Sequence, residues 1–370
     1  MNEAESLITS IDKLPPLLAA SICAEEKIYI AEIEKRGFLP FGVTPHFASL
    51  AGPEQDDPIR RQFFPDPREA LPDSFALDDP LGEGIHRAAP RLVHQYRDRA
   101  LLLAGGACAG YCRHCFRRVW LSGAPAFISM GDTNGATANC GELAPVLAYL
   151  AAHSEIREIL VSGGDPLTAS NARLEELFCK LRKARPGILL RVCTRAPITS
   201  PPRLCEETVA LFRKFRPLRL VVHINHPREL AAPGRERLAA CVEAGIPVHI
   251  QTVLLKGVND DPALLAALFR DCLDLGLSPY YLFQLDLAPG TAHFRVPLRQ
   301  GLAIYQELCA LFSGRIGADT MALPTYALDL PGGGGKIWLH EGVIAGEKMT
   351  AAGPVYLLQD GRGKVWEYPV

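Results

Sequence analysis

The sequence predicts an α/β protein: a partial (β/α)6 TIM-like barrel with an N-terminal helical extension and a short C-terminal segment. Three observations predict it. Apolar runs of strand length recur at 100–104, 158–162, 189–194, 218–224, 247–255 and 279–287. Helix-patterned stretches at 171–185, 202–215, 234–244 and 262–275 separate the later runs, and strand, helix, strand at about thirty residues is the βαβ period of a parallel sheet. Polar residues and glycines gather where the runs end, at the loop around Cys108, at 162–167, Cys193-Thr194-Arg195, 223–227, Gln251 and Asp286. Those carboxyl ends are where barrel enzymes carry their function.

Taken in order, residues 1–90 read as the extension, 91–325 as the barrel core and 326–370 as the C-terminal segment. Within the extension, 19–36 has room for one or two helices, and the proline- and acid-rich 52–80 reads as a packing arm that wraps a surface. The Gly, Ala and Ser-rich connection 121–141 reads as a mobile cover.

The 370 residues are 48% hydrophobic and 22% charged, which excludes a disordered or fibrous chain. No apolar run reaches the roughly 18–20 residues of a membrane span, and the polar residues 1–5 do not read as a secretory signal. A formal net charge of −2 with mixed signs points to no nucleic-acid face. Eleven cysteines, an odd number with eight scattered singly, predict a reducing cytoplasm rather than a disulfide framework.

Three cysteines, Cys108, Cys112 and Cys115, fall within eight residues just after the first strand. A structural zinc and an ordinary four-iron cluster each want four protein ligands, so three thiolates leave one metal position open. The spacing alone also admits a zinc loop with its fourth ligand elsewhere, or incidental buried thiols. With His114 just before the last cysteine, the CxxxCxxC loop resembles the radical S-adenosylmethionine superfamily. There, the open iron of a 4Fe-4S cluster chelates S-adenosylmethionine and cleaves it to a 5′-deoxyadenosyl radical.

Gly163-Gly164-Asp165 ends one strand before a helix. Glycines there let a ligand approach the backbone, although the same turn is also good capping chemistry. Beside the cysteine loop it matches the segment that holds the amino group of S-adenosylmethionine. Further on, Lys336 follows Gly332-Gly333-Gly334-Gly335. A P-loop needs glycine six residues before the lysine and Ser or Thr after it; Leu330 and Ile337 stand there. A lysine on a flexible glycine arm suits a Schiff base with pyridoxal phosphate, or else ends a plain surface loop.

Over about residues 40–340 these segments, with Asp79-Pro80-Leu81, 96–99, 223–227, 253–255, 279–281 and 293–295, resemble lysine 2,3-aminomutase and its relatives. The resemblance implies that Cys108, Cys112 and Cys115 hold the cluster and that His114, Gly163, Gly164 and Asp165 line the S-adenosylmethionine site. It implies that Lys336 carries pyridoxal phosphate with Arg99 near the phosphate. Arg117 would pair the substrate carboxylate, and Asp286 and Asp329 would grip the far ammonium of L-lysine. In the reaction so implied, substrate displaces Lys336 to form an external aldimine, the radical takes hydrogen from C3, and nitrogen migrates from C2 to C3 to give β-lysine.

The resemblance also implies an electron donor such as flavodoxin or ferredoxin and a free amino-acid substrate, with a homo-oligomer possible in principle. It admits arginine or another basic amino acid as substrate. Two departures stand out. Residues 337–370 hold no cysteine and 259–262 is Asn-Asp-Asp-Pro, so no structural zinc is expected. Gln95 stands where those enzymes have arginine. The front of the chain is more like the shorter branch that makes β-lysine for elongation factor P, and the glycine arm is more like the other branch. A non-catalytic protein that kept the fold would be expected to lose Lys336 or the two aspartates, and both are present.

Overall fold

The computed structural model describes residues 6–33, 35, 39–130, 141–313 and 322–370. Residues 131–140 of the predicted cover, Cys140 among them, and Arg36 lie outside the described residues. One ten-stranded sheet runs in chain order through β1 (Arg87–Ala89), β2 (Leu92–Tyr96), β3 (Arg99–Gly105), β4 (Glu158–Gly163) and β5 (Leu189–Thr194). It continues through β6 (Leu218–His223), β7 (Val248–Val253), β8 (Ser278–Phe283), β9 (Thr325–Leu330) and β10 (Gly335–Trp338). Strands β3 to β9 are parallel, and an antiparallel pairing flanks them on each side.

Helices Leu143–Ala152, Asn171–Ala184, Glu206–Lys214, Gly234–Glu243, Pro262–Asp274 and Leu298–Ser313 follow β3 to β8 in turn, which makes six strand–helix units. Their faces follow from period. In helix Asn171–Ala184 the buried residues are Leu174, Leu177, Phe178 and Leu181, one stripe at helical spacing, with the Ser170 side chain capping Arg173 N–H. Along the strands the period is two: Ile159, Val161, Leu190, Val192 and Ile250 join that core, while Leu160, Ser162, Arg191, Cys193 and Gln251 line a central cleft.

Strands β7 and β8 stop at 253 and 283, short of the apolar runs that predict them. The surplus apolar residues Leu255 and Leu285 pack with Val258 and Phe294 in a small second core. Hydrophobicity there marks burial of a loop rather than continuation of a strand.

The ladder is open, yet its two ends meet through side chains. Lys336 N–H of β10 donates to the Tyr96 hydroxyl of β2 at 3.0 Å, and Gln95 Nε2 donates to Gly333 O at 3.1 Å. The sheet thus crosses both expected divisions, near 90 and near 325, because hairpins at each end extend it. Beyond it, β11 (Ile344–Thr350), β12 (Gly353–Gln359) and β13 (Val365–Pro369) make a separate antiparallel sheet. It is docked by buried Tyr368, whose hydroxyl donates to Leu285 O at 2.9 Å.

The extension does more than wrap a surface. Gly42 O and Gln62 O accept from Tyr111 N and Arg113 N at 2.9 and 2.8 Å, so it props the cysteine loop from outside. Fully buried Arg113 is answered by Glu69 Oε1 and Oε2 and by Leu39 O and Pro40 O. Among the described residues no helix is long and apolar enough to cross a membrane.

Candidate active site

A cleft of about 330 Å³ runs along the parallel strands to their carboxyl ends, and every residue that the resemblance assigns to cluster, cofactor or substrate lies on its wall. Cys108, Cys112 and Cys115 all line it. Burial and the neighbouring thiols push Cys108 well up, and burial pushes Cys115 up to about 11. Ligation to a metal cluster removes those protons, and Arg117 beside them favours the thiolates. Among the described residues no group of three His, Cys, Asp or Glu side chains is placed to hold a metal ion; Cys108, Cys112 and Cys115 nonetheless line one cleft, and three thiolates are the donor set that a four-iron cluster with one open iron takes.

His114 is buried, its ring 5.4 Å from that of His223 and its Nε2 3.3 Å from Asn225 Nδ2. Burial and nearby positive groups hold it well below the ordinary histidine range, so it is neutral. Gly163 and Gly164 line the cleft and also serve the fold. A Cβ on them would stand 2.4 Å from Gly105 O and 2.3 Å from Ala107 O. The glycines let this chain's own strands approach, and Gly164 N–H and Asp165 N–H are already bonded to Gly105 O and Ala107 O. The Asp165 carboxylate is likewise used internally, accepting from Leu167 N, Thr194 Oγ1, Arg195 N and Ala196 N. Those bonds brace the wall of the cleft.

Lys336 is the second pole. It lies opposite Asp329 in the β9–β10 register, and its Nζ donates to Asp329 Oδ2 at 2.5 Å, over the Phe283 ring at 4.1 Å. The glycine arm is no loose tether. It is a hairpin turn with left-handed Gly332 and Gly333, held by Gly332 N–H to Pro80 O and by His86 Nε2 and Gln95 Nε2 to Gly333 O. Gln95 therefore serves the hairpin. Arg99 lies over the Tyr96 ring at 4.3 Å, on the same side of the cleft. An amine, aromatic faces and a guanidinium suit an aldehyde cofactor bearing a phosphate.

Asp286 shares this pole. Burial and the adjacent Asp329 push its carboxyl well above the usual range, against Lys336 and Arg117. Arg117 is gripped by Glu83, with Nε 3.1 Å from both oxygens and Nη2 2.5 Å from Oε1, while its Nη1 reaches Ser162 Oγ at 3.3 Å. Burial works against the charge of Arg117, but Glu83 more than offsets it and raises its pKa. Glu83 escaped the sequence reading: it sits between Gly82 and Gly84, just past the proline- and acid-rich stretch, with no periodicity to mark it. Tyr281 and Phe283, inward residues of β8, were legible only as strand.

Residues 102–269 match the radical SAM superfamily model. A Treponema pallidum protein provisionally named L-lysine 2,3-aminomutase is 42% identical, over 80% of this chain and 79% of its own length. The L-lysine 2,3-aminomutase of Fusobacterium nucleatum is 35% identical, over 80% and 67%. A glutamate 2,3-aminomutase of Clostridioides difficile is 33% identical, over 89% and 73%.

Proposed function

The chain belongs to the lysine 2,3-aminomutase family of radical S-adenosylmethionine enzymes, and from that premise we propose that it moves the α-amino group of L-lysine to C3 with pyridoxal phosphate held through Lys336. The radical SAM domain implies a 4Fe-4S cluster and S-adenosylmethionine. When bound, these supply one electron and a hydrogen-abstracting radical, and pyridoxal phosphate supplies an aldehyde that carries the migrating nitrogen.

One observation carries the substrate choice. Asp329 already grips a primary ammonium, that of Lys336, with Asp286 in the same charged group. Two carboxylates offset the desolvation of one ammonium and repel a side-chain carboxylate, which favours lysine over glutamate. At the other end, Arg117, oriented by Glu83, offers its remaining N–H groups to the α-carboxylate. Cys108, Cys112 and Cys115 would hold the cluster, His114 and the 163–165 turn would flank S-adenosylmethionine, and Arg99 would meet the phosphate. The reaction also needs an external one-electron donor, a role for a small redox protein.

The test is anaerobic competition. Reconstituted protein with all three cofactors and a reductant receives lysine, arginine and glutamate together, followed by mass spectrometry. Consumption of lysine alone supports the reading; consumption of arginine or glutamate assigns the acids otherwise.

A further inference from the structure

Arg195, at the end of β5, has no part in the chemistry proposed above, yet it is buried beside the cysteine loop. Its Nη1 donates to Cys112 Sγ at 3.1 Å. Its Nη2 donates to Glu229 Oε2 at 2.9 Å and to Gln62 Oε1 at 2.6 Å. The guanidinium carbon lies 4.9 Å from the Phe63 ring centre and 5.3 Å from that of Phe47. Gln62 is itself fixed, donating to Glu229 Oε1 and Pro58 O and accepting from Asn225. The extension and the barrel thus meet to hold one cation against one sulfur.

A buried ion pair alone is weak evidence of stabilisation, since desolvation of both partners offsets most of the attraction. The direction of the fork matters more. Glu229 and Gln62 fix one nitrogen, which leaves the other aimed at Cys112. Reduction of an iron–sulfur cluster adds an electron that spreads over its sulfurs, and hydrogen bonds and nearby charge set its potential. A cationic donor on a ligand sulfur stabilises the reduced form.

We propose that Arg195 is a positioning residue that raises the reduction potential of the cluster through its hydrogen bond to Cys112. This rests on the reading that Cys112 is a cluster ligand. Glu229 is the counterweight: it holds the guanidinium in place and partly cancels its field. The two residues therefore act on the potential in opposite directions.

The test is a redox titration of the reconstituted protein without S-adenosylmethionine, followed by electron paramagnetic resonance of the reduced cluster. Arg195→Gln/Glu229→Gln removes both charges together, so neither is stranded in the interior. Its potential is expected to fall, with a tenfold change in the reduction equilibrium, about 59 mV for one electron. Glu229→Gln alone leaves the cation uncompensated, and its potential is expected to rise. Should the double variant not fold, the rise in Glu229→Gln still decides. Wild-type potentials in the variants that fold overturn the proposal. Iron content separates this from its premise: Cys112→Ala is expected to lose the cluster, and if it keeps its iron, the ligand assignment fails and the role of Arg195 with it.

Discussion

Lys336 and Asp329 stand directly opposite each other across the β9–β10 hairpin, Nζ 2.5 Å from Oδ2. A cross-strand pair shares one face of a sheet, so the register alone delivers an amine and an acid together into the cleft. Replacing Asp329 or Asp286 by Asn is expected to strand the substrate ammonium with one acid. Breaking a buried charge pair costs about 3–5 kcal/mol, so kcat/KM for lysine should fall on the order of 10²- to 10⁴-fold. Steady-state kinetics with each variant checks it, and unchanged kinetics contradicts the assignment.

Lys336→Ala is expected to abolish turnover and covalent attachment of the cofactor. Borohydride treatment of wild type with pyridoxal phosphate should leave a pyridoxyl group on the Lys336 peptide by mass spectrometry. A label on another lysine would move the attachment point.

The pH dependence follows from Asp286, whose carboxyl is pushed well above the usual range by burial and by Asp329. In the empty site it retains its proton to higher pH than an ordinary aspartate. An arriving ammonium favours the ionised form, so binding expels a proton and lysine affinity tightens as pH rises through the titration of the empty site. Calorimetry in buffers of different ionisation enthalpy should show net proton release, lost in Asp286→Asn.

Glu83→Gln should loosen Arg117 without touching the cofactors. One charge-assisted grip becomes a neutral one, a loss of about 1.5 kcal/mol, so KM for lysine should rise about tenfold with cofactor binding retained. A change in pyridoxal phosphate binding instead would show that Glu83 serves the hairpin.

Gly334→Ala tests whether the lysine hairpin is rigid. Its Cβ would fall 2.6 Å from Leu330 Cβ and 2.8 Å from the Trp366 ring, an overpacking that costs about 1–3 kcal/mol. Melting temperature and activity should both fall. Gly361→Ala, where a Cβ meets nothing within 4 Å, should leave both unchanged.

Much of this was legible in the sequence because it rests on period and spacing. The six strands, four of the six helices that follow them, Lys336 and the three cysteines declare themselves that way, whereas helices Leu143–Ala152 and Leu298–Ser313 do not. What escaped depends on contacts between distant segments. Glu83 meets Arg117 across 34 positions, and Gln95 meets Gly333 across 238. Strand β9, which carries Asp329, reads as tail until it is seen to pair with β8. That Gly163 and Gly164 also let Gly105 O and Ala107 O approach depends on a neighbouring strand and loop, which glycine composition cannot show.

The most direct measurement uses lysine labelled with nitrogen-15 at the α-amine, turned over anaerobically and followed by nitrogen and carbon NMR. The account predicts that the label appears bonded to C3 of β-lysine without net loss of S-adenosylmethionine. A label that stays on C2 while the cluster and both other cofactors are bound would contradict it.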